Sequence, residues 1–499
     1  MFLVGAGPGD PGLLTLRAVE CLRLADLIIY DKLVPPRLLE HASRTAECRC
    51  MGDLPGGRQE RWSQVMADVI AAAKAGKTVV RLKGGDPLVF GRGLEEAAAL
   101  READISYEIV PGVSAALAAG ACAEIPLTHR TAASAVAFVT GHEDPTKSGP
   151  SLDWAALARF PGTLAIYMGM ARLETIAGSL IKHGKPADTP AVVVAWAGTG
   201  GQKRINATLG SLADQVRSAG LRAPAIILLG ESAGLAPAVS WFESRPLFGK
   251  RVLVTRPREQ AAELVRKLEL LGAIPVVLPA VEIRPPQDWG EVDDRLSRLG
   301  DYDWLVFASA NGVQSFLGRL RQICRDLRAL AGLRIAAIGP GTAEALRGFH
   351  LNADLVPDEF RSESLAAALA EQAAGKRILL ARADRGRDVL RTELSKVAAV
   401  DQVTVYRQVD ADVRSHPAFE VLGRGEIDFV TVTSSNIARS FLRSLDEAGR
   451  SRIQSGDVLL VTISPVTSAA VTECGYPVAA EAREFTIDGL IQALLKVQS

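Results

Sequence analysis

The chain has 499 residues, of which 48% are hydrophobic, and its formal net charge at pH 7 is zero. A chain of this length is expected to form two or more domains with globular cores. A neutral chain lacks the basic field that binds polyanions, so we expect no nucleic-acid partner. No apolar run is long enough to predict a membrane span, so no membrane partner is expected either.

The six cysteines are scattered along the chain, which favours reduced thiols and a cytoplasmic location over a disulfide framework. Phe2 already begins a predicted strand, so we expect no signal peptide. Cys48 and Cys50 have the wrong spacing for a zinc knuckle, and His129 and His142 are far apart with no third partner nearby. We therefore predict no metal site.

The first half of the chain alternates short strands with amphipathic helices. Strands are predicted at Phe2–Val4, Leu27–Tyr30, Val79–Lys83, Ile105–Val110, Ala135–Thr140, Thr163–Met168, Ala191–Ala195 and Ile226–Gly230. Helices are predicted at Thr15–Ala25, Trp62–Ala75, Glu95–Ala103, Ser114–Ala123 and Leu173–His183. This alternation predicts an α/β fold with mainly parallel sheets.

The turn Gly5-Ala6-Gly7-Pro8-Gly9-Asp10 follows the first strand but does not match a dinucleotide fingerprint. Asp10 stands where the third glycine belongs, and Pro8 lies inside the turn. This mismatch argues against a nicotinamide-dependent oxidoreductase. Asp31 follows the second strand, at an edge where open α/β sheets often place their chemistry. A structural cap is the alternative reading of a lone aspartate at this position.

The segment Val79 to Gly93 predicts a buried strand followed by a glycine-rich loop. Gly84 and Gly85 allow positive φ and a close approach of the backbone to a ligand. Asp86 follows them, and a carboxylate there suits an ammonium or sulfonium group. A phosphate loop would place its lysine after the glycines, whereas Lys83 comes before them. An ordinary strand-to-helix turn is the alternative, but the whole segment favours a ligand loop.

This loop and three further motifs resemble the uroporphyrinogen-III C-methyltransferases of the tetrapyrrole methylase family. The three motifs, in matching order and spacing, are Val4 to Leu16, Pro111 to Arg130, and Tyr167-Met168-Gly169. Four motifs in register are a specific signal, and they cover roughly the first half of the chain.

The resemblance implies S-adenosylmethionine as cofactor, Asp31 as the base that takes a proton from the substrate, and a homodimer formed through this half. The residues that it implies around the cofactor are Pro8, Gly84, Gly85, Asp86, Val89, Ser114, Ala115, Met168 and Gly198. The chain departs from the family at Gly52-Asp53, where the family often carries a lysine after the glycine. Asp53 reverses that charge, which puts an auxiliary acid at this position in doubt.

A short linker is predicted near Ser244–Gly249, with a new strand starting at Arg251. Beyond it, strands are predicted at Arg251–Arg256, Ile274–Leu278, Trp304–Ala308, Arg334–Ile338, Arg377–Ala381, Val400–Tyr406, Phe429–Thr433 and Val458–Thr462. Several of these strands end in hydroxyl or glycine residues at the start of a helix. Such helix starts can bind substrate carboxylates through free backbone N–H groups, or they can be plain N-caps.

Residues 250 to 499 resemble uroporphyrinogen-III synthase, through segments such as Asp303 to Val313, Ile338 to Ala343 and Asp428 to Ser435. The resemblance implies two lobes, with the chain leaving the first near Pro285 and returning after Tyr406. It also implies that Tyr406 donates a proton, although a buried tyrosine at a strand end is an equal reading of that residue alone. Candidate substrate-binding residues are Thr255, Ser309, Asn311, Thr342, Ser364, Ser434 and Ser435, with Thr342 expected near Tyr406.

We therefore predict a two-lobed tetrapyrrole methylase domain at residues 1–245, followed by a two-lobed α/β uroporphyrinogen-III synthase domain at residues 250–499. The predicted function is bifunctional: cyclisation of hydroxymethylbilane to uroporphyrinogen III, then two methylations to precorrin-2 on the sirohaem or cobalamin branch. The alternative keeps the methyltransferase and makes the second half a non-catalytic tetrapyrrole-binding partner.

Overall fold

A computed structural model describes residues 1–55, 57–142, 152–323 and 325–498 of the chain. Contacts between residues divide the chain into two compact units. The first is Met1–Gly249 with Leu271–Ile274, and the second is Lys250–Leu270 with Pro275–Ser499.

The first sheet of the first unit is entirely parallel, in the order β3-β2-β4-β1-β5. Its strands are β1 (Phe2–Gly5), β2 (Leu27–Tyr30), β3 (Glu47–Cys50), β4 (Val79–Lys83) and β5 (Glu108–Val110). Three helices connect these strands: α1 (Leu16–Leu24), α2 (Arg58–Lys74) and α3 (Gly93–Glu102). Successive residues of a strand pack into different hydrophobic cores: Leu3 and Val4 of β1 belong to two separate clusters. The sheet is therefore covered on both faces, as parallel sheets usually are.

The second sheet of this unit has the order β6-β7-β10-β8-β9 and follows helix α4 (Ala115–Ala123). Its strands are β6 (Val136–Thr140), β7 (Thr163–Tyr167), β8 (Pro190–Ala195), β9 (Lys203–Thr208) and β10 (Ala225–Leu229). Helices α5 (Trp154–Arg159), α6 (Leu173–Lys182) and α7 (Leu212–Ser218) complete this lobe. Only β6 and β7 pair in parallel; the other three pairings are antiparallel. The expectation of mainly parallel sheets is therefore wrong for this lobe.

The second unit also contains two sheets, in the orders β12-β11-β18-β19-β20 and β13-β17-β16-β14-β15. Its strands are β11 (Arg251–Val254), β12 (Ile274–Val277), β13 (Val281–Arg284), β14 (Trp304–Phe307), β15 (Arg334–Ala337), β16 (Arg377–Ala383), β17 (Ala399–Asp410), β18 (Phe429–Val432), β19 (Leu459–Thr462) and β20 (Ala480–Glu481). Its helices are α8 (Arg258–Leu270), α9 (Gly290–Ser297), α10 (Ala310–Gln322), α11 (Pro340–Arg347), α12 (Ser362–Ala373), α13 (Val389–Leu394), α14 (Pro417–Gly423), α15 (Ser435–Ser444), α16 (Glu447–Gln454), α17 (Pro465–Glu473) and α18 (Ile487–Gln498).

The chain passes between these two sheets slightly earlier, and returns slightly later, than the sequence suggests. β13 already belongs to the second sheet, where it runs antiparallel to the far end of β17. The chain therefore leaves the first sheet after β12 rather than near Pro285, and it stays in the second sheet as far as Asp410. The cause is the length of β17, whose last residues pair with β13 instead of forming a connection.

Within the part of the chain that the structure describes, no helix combines the length and the apolar character that crossing a bilayer requires.

Candidate functional site

Three strand ends of the first sheet meet through glycines that cannot carry a side chain. A Cβ atom on Gly5 would lie 2.5 Å from the backbone nitrogen of Gly112, and one on Gly112 would collide with the carbonyl oxygen of Gly85. The loops after β1 and β4 are joined there, because Gly85 donates to the carbonyl of Gly7 at 2.8 Å. Gly85 has φ +67°, and a Cβ on Gly84 would meet nothing within 4 Å. The Gly84 backbone therefore has open space beside it.

Beside this edge lies a cavity of about 740 Å³ in the first unit. Asp31 lines it, as do seven of the nine residues predicted around the cofactor: Pro8, Gly84, Gly85, Val89, Ser114, Ala115 and Met168. Residues that reach the cavity from the second sheet, such as Trp196 and Ile226, form another part of its wall. Both lobes of the unit therefore contribute to one site.

Four residues in the cavity wall have a left-handed backbone although they are not glycine: Phe90, Arg92, Met168 and Trp196, with φ between 52° and 57°. Such conformations cost on the order of 1–3 kcal/mol each and concentrate at functional sites. Three of the four are large apolar side chains that stay 38% to 51% exposed. Strain and exposed apolar surface on the same wall indicate a ligand-binding site.

Asp86 and Gly198, the other two predicted cofactor residues, are outside the set of residues that line the cavity. The Asp86 carboxylate accepts the backbone N–H groups of Leu88 at 2.8 Å and Gly112 at 3.1 Å. It therefore ties the glycine-rich loop to the strand end after β5. Gly198 is buried with φ +77°, and its neighbours Ala197 and Thr199 line the cavity.

Tyr167 is a site residue to which the sequence analysis gives no role, although it lies in a quoted motif. Its hydroxyl shares a hydrogen bond of 2.7 Å with Ser114 and accepts the backbone N–H of Ala116 at 3.1 Å. Its ring packs against Phe90, with the ring centroids 4.9 Å apart. Tyr167 therefore connects the second sheet to the start of α4 across the cavity wall. The sequence signal was its place directly before Met168 at a strand end.

Asp31 lies beside a buried group of charges. The guanidinium of Arg81 donates to its carboxylate, and Arg81 and Lys83 both bind Glu96. Burial lowers the pKa of Lys83, and the positive charge of Arg81 lowers it further. One oxygen of Glu96 has no hydrogen-bond partner among the described residues. Asp31 is thus a cavity-wall carboxylate paired with Arg81, and Arg81, Lys83 and Glu96 line the same cavity.

Asp53, which stands where the family often carries a lysine, is exposed at the end of a single helical turn that follows β3. Met51 in the same turn lines the cavity, and its sulfur accepts a hydrogen bond from Arg81. The turn itself therefore borders the site.

In the second unit, Tyr406 is 4% exposed and lies on β17. Its hydroxyl is 3.0 Å from the Ser309 hydroxyl, and it also interacts with the side chains of Asn311 and Gln408. Ser309 caps α10 by accepting the backbone N–H of Gly312. Ser309, Asn311 and Tyr406 are all predicted site residues of this half, and the structure brings these three together.

Two amide pairs join this cluster to the other sheet of the unit. Gln260 of α8 donates to Asn311 at 2.8 Å, and Asn436 of α15 donates to Gln408 at 2.7 Å. Gln260, Gln408 and Asn436 were not assigned from the sequence. Their only sequence signal was the position of Asn436 directly after Ser434 and Ser435.

Among the described residues, none of the other predicted substrate-binding residues is a hydrogen-bond partner of Tyr406. Thr255 is fully buried and donates its hydroxyl to the carbonyl of Thr431, and Thr342 is buried within α11 and is not among the partners of Tyr406. The expectation that Thr342 lies beside Tyr406 therefore stays a prediction. Ser434 caps α15, Ser435 donates to the carbonyl of Val466, and Ser364 binds Glu359 and Arg361.

Arg256, in the segment after β11, carries a feature that the sequence does not predict. Its Nη1 atom is buried and has no hydrogen-bond partner among the described residues. Burial lowers the pKa of this guanidinium. A buried N–H group without an acceptor is costly, so the Nη1 atom of Arg256 is a candidate to bind an anion.

Within the described residues, no group of three or more His, Cys, Asp and Glu side chains is arranged to hold a metal ion.

The chain matches two family models. Residues 1–213 match the Tetrapyrrole (Corrin/Porphyrin) Methylases, and residues 262–492 match Uroporphyrinogen-III synthase HemD. The "Porphyrin biosynthesis protein HemD" of Ruminiclostridium josui is 33% identical over 500 residues, which covers 99% of this chain and 97% of that protein. The "Uroporphyrinogen-III C-methyltransferase" of Bacillus subtilis (strain 168) is 39% identical over 361 residues, which covers 72% of this chain and 73% of that protein.

A third relative matches the first half alone. The "S-adenosyl-L-methionine-dependent uroporphyrinogen III methyltransferase" of Methanosarcina barkeri (strain Fusaro / DSM 804) is 44% identical over 231 residues, which covers 46% of this chain and 91% of that protein. The two halves of the chain thus match two separate families, and the relative from Ruminiclostridium josui is similar to both halves.

Proposed function

Because the chain belongs to the tetrapyrrole methylase family in its first half and to the HemD uroporphyrinogen-III synthase family in its second, we propose a bifunctional enzyme. Its second half closes hydroxymethylbilane to uroporphyrinogen III. Its first half then methylates that product twice with S-adenosylmethionine, which gives precorrin-2. The product of one half is the substrate of the other, which is a chemical reason for the two to share a chain.

The observation that carries the methyltransferase assignment is the cavity of the first unit. It combines the open Gly84 backbone, strained residues from both lobes and the Asp31 carboxylate in one wall. A volume of about 740 Å³ lies within the range of ligand pockets. These features fit a cofactor with an adenosyl group and a sulfonium centre. Such a cofactor needs apolar surface and a close approach of the backbone more than it needs basic side chains.

S-adenosylmethionine supplies the methyl group. The residues that we propose to hold it are Gly84, Gly85, Ser114, Ala115 and Met168, which all line the cavity. Methyl transfer destroys a positive charge, so the protein mainly aligns the reacting atoms and excludes water. The apolar side chains of the wall serve that exclusion.

Asp31 is the proposed general base of the methylation. A pyrrole carbon becomes a better nucleophile as a proton is lost elsewhere in the macrocycle, and a carboxylate in the cavity wall can receive that proton. Asp31 meets this requirement because it lines the same cavity as the proposed cofactor residues.

Tyr406 is the proposed acid of the closure step. Burial raises the pKa of its phenol, so the hydroxyl keeps its proton at neutral pH. It can then donate that proton to the departing hydroxyl group of hydroxymethylbilane, which leaves as water. The surrounding amides and the Ser309 hydroxyl fix the direction of the phenol. Arg256, with its unpaired buried nitrogen, is proposed to bind a substrate carboxylate in this half.

The alternative of a non-catalytic second half is less favoured, because the HemD synthase model matches 262–492 and Tyr406 sits in an organised polar cluster. The decisive experiment incubates the whole protein with hydroxymethylbilane and S-adenosylmethionine and records the mass and spectrum of the product. We expect two added methyl groups on the type III isomer. Without S-adenosylmethionine, we expect unmethylated type III isomer. A product that is mainly the non-inverted (type I) isomer would contradict the synthase assignment. An unmethylated product would contradict the methyltransferase assignment.

We further propose a homodimer formed through the first half, and action in the cytoplasm. The family resemblance supports the dimer. The five described cysteines are all free thiols, which suits a reducing compartment. Sedimentation analysis of the whole protein tests the dimer.

A further inference from the structure

The central strand β4 buries two cations, which is unusual for a strand in the middle of a parallel sheet. All five of its residues are buried, and Val80 and Leu82 face one core while Arg81 and Lys83 alternate with them. Burying a cation is costly unless it is paired and hydrogen-bonded. Glu96 of α3 supplies the partner: its Oε1 accepts Lys83 Nζ at 2.7 Å and Arg81 Nε at 3.3 Å.

Arg81 is fixed on several sides at once. Its side chain is 2% exposed, and its Nη1 donates to the carbonyl of Ile29 at 3.4 Å. Its Nη2 donates to Oδ1 of Asp31 and contacts the sulfur of Met51 at 3.3 Å. The pairing of Ile29 with Arg81 in the sheet brings the guanidinium to the end of β2, where Asp31 follows. The planar fork thus touches three different segments of the chain.

We propose that Arg81 is a positioning residue for the methylation, which holds the Asp31 carboxylate in one orientation in the cavity wall while Glu96 holds Arg81. This inference rests on the proposed role of Asp31. A general base must lie within hydrogen-bond reach of the proton that it takes, and a displacement of about 1 Å can cost about 10²-fold in rate. A side chain that is 32% exposed and lacked this anchor would sample several rotamers. Arg81 also lines the cavity, and in this proposal it acts by removing that freedom from Asp31.

The test is a double-mutant cycle in the full chain, measured as single-turnover methyl transfer at saturating S-adenosylmethionine. Arg81→Lys keeps a positive charge for Glu96 but loses the fork that spans Glu96 and Asp31. We expect the rate to fall about ten- to hundredfold, with cofactor affinity by calorimetry changed less than about twofold. In an Asp31→Asn background, the same substitution should change the rate less than about twofold, because Arg81 acts only through Asp31. Arg101→Lys, an exposed position on α3, is the matched control and should leave the rate of each background unchanged.

A purely structural role for Arg81 would lower the rate by the same factor in both backgrounds, and that result overturns the inference. A wild-type rate for Arg81→Lys overturns it as well. If Arg81→Lys fails to fold, Glu96→Gln loosens the anchor from the other side and must show the same dependence on Asp31. A wild-type rate for Asp31→Asn would remove the base and the inference together, whereas absence of any methyl transfer by the wild-type protein would overturn the proposed function itself.

Discussion

The proposed role of Tyr406 as a proton donor rests on the polar groups around its hydroxyl. Burial is the largest cause of its raised pKa, while hydrogen bonds from Ser309, Asn311 and Gln408 partly offset that rise. A phenol that only filled space in the core would not need three polar neighbours. Three polar side chains are therefore held around a single hydroxyl group, which is a reason to test that hydroxyl directly.

Tyr406→Phe removes the hydroxyl and keeps the ring. We expect enzymatic closure to slow by about 10²–10⁴-fold, the usual contribution of a general acid. Spontaneous closure then continues and the type I isomer dominates the product. Chromatography of the uroporphyrinogen isomers gives the ratio.

Tyr476→Phe is the control for that variant, because Tyr476 is also a buried tyrosine of the second unit but belongs to the core of the other sheet. It should form the type III isomer at the wild-type rate. A Tyr406→Phe protein that still makes mainly the type III isomer at that rate would exclude the phenol from the reaction.

Asp86→Asn tests the tie between the glycine-rich loop and the strand end after β5. Both carboxylate oxygens accept backbone N–H groups, and an amide can accept through only one of its two terminal atoms. Hydrogen bonds to charged groups contribute about 1.5–3 kcal/mol, so we expect the affinity for S-adenosylmethionine to fall about tenfold or more. Calorimetry measures this, and closure of hydroxymethylbilane should be unchanged. Asp104→Asn, an exposed control, should bind as wild type does; equal affinity in both variants would contradict the role of Asp86.

At the scale of elements, the junction of the loops after β1, β4 and β5 depends on the absence of a side chain at Gly112. Gly112→Ala places a Cβ atom against the carbonyl oxygen of Gly85, which is backbone and cannot rotate away. We expect a loss of about 1–3 kcal/mol in the free energy of unfolding of the first unit, as for other overpacked sites, together with weaker cofactor binding.

Gly178→Ala is the matched control for this substitution, since a Cβ atom at Gly178 in α6 meets nothing within 4 Å. It should be neutral or stabilising by up to about 1 kcal/mol. Chemical denaturation measures the free energy of unfolding of both variants. Equal values for Gly112→Ala and Gly178→Ala would mean that the loops can move apart at Gly112 without loss of stability.

Strands with apolar, β-branched runs could be predicted from the sequence, and β4 and β8 are examples. β3 (Glu47–Cys50) and β9 (Lys203–Thr208) could not, because both are polar edge strands whose only reason to be extended is pairing with a neighbour. The antiparallel order of the second sheet was missed for the same reason, since strand direction depends on pairing and not on local pattern.

In the candidate sites too, some features could be predicted from the sequence and others could not. Gly84, Gly85 and Asp31 stand out locally, because each follows a predicted strand at the edge where open α/β sheets often bind ligands. The contact between Arg81 and Asp31 depends on the register of β2 against β4, which places residues 50 positions apart in contact. The amide pairs around Tyr406 likewise join distant helices, so only the fold could reveal them.

At the scale of the whole molecule, each unit contains the groups that its proposed reaction requires. The cavity around Asp31 is built from residues of the first unit alone, and the Tyr406 cluster from residues of the second alone. The division between them at Gly249 and Lys250 falls at the end of the predicted linker. Each reaction should therefore survive separation of the halves, although residues Leu271–Ile274 group with the first unit by contacts.

Expression of residues 1–249 and 250–499 as separate proteins tests this independence. We expect the first fragment to methylate uroporphyrinogen III and the second to convert hydroxymethylbilane to the type III isomer, each within about tenfold of the whole protein, because domain boundaries fall where few contacts cross. The first fragment should lose more stability than the second, since it loses the contacts of Leu271–Ile274; a variant of this fragment extended to Ile274 checks whether those residues restore the loss. Isomer analysis, mass spectrometry and thermal unfolding of each fragment provide the readouts. A second fragment that folds but does not close hydroxymethylbilane, beside a whole protein that does, would show that the synthase needs the first unit.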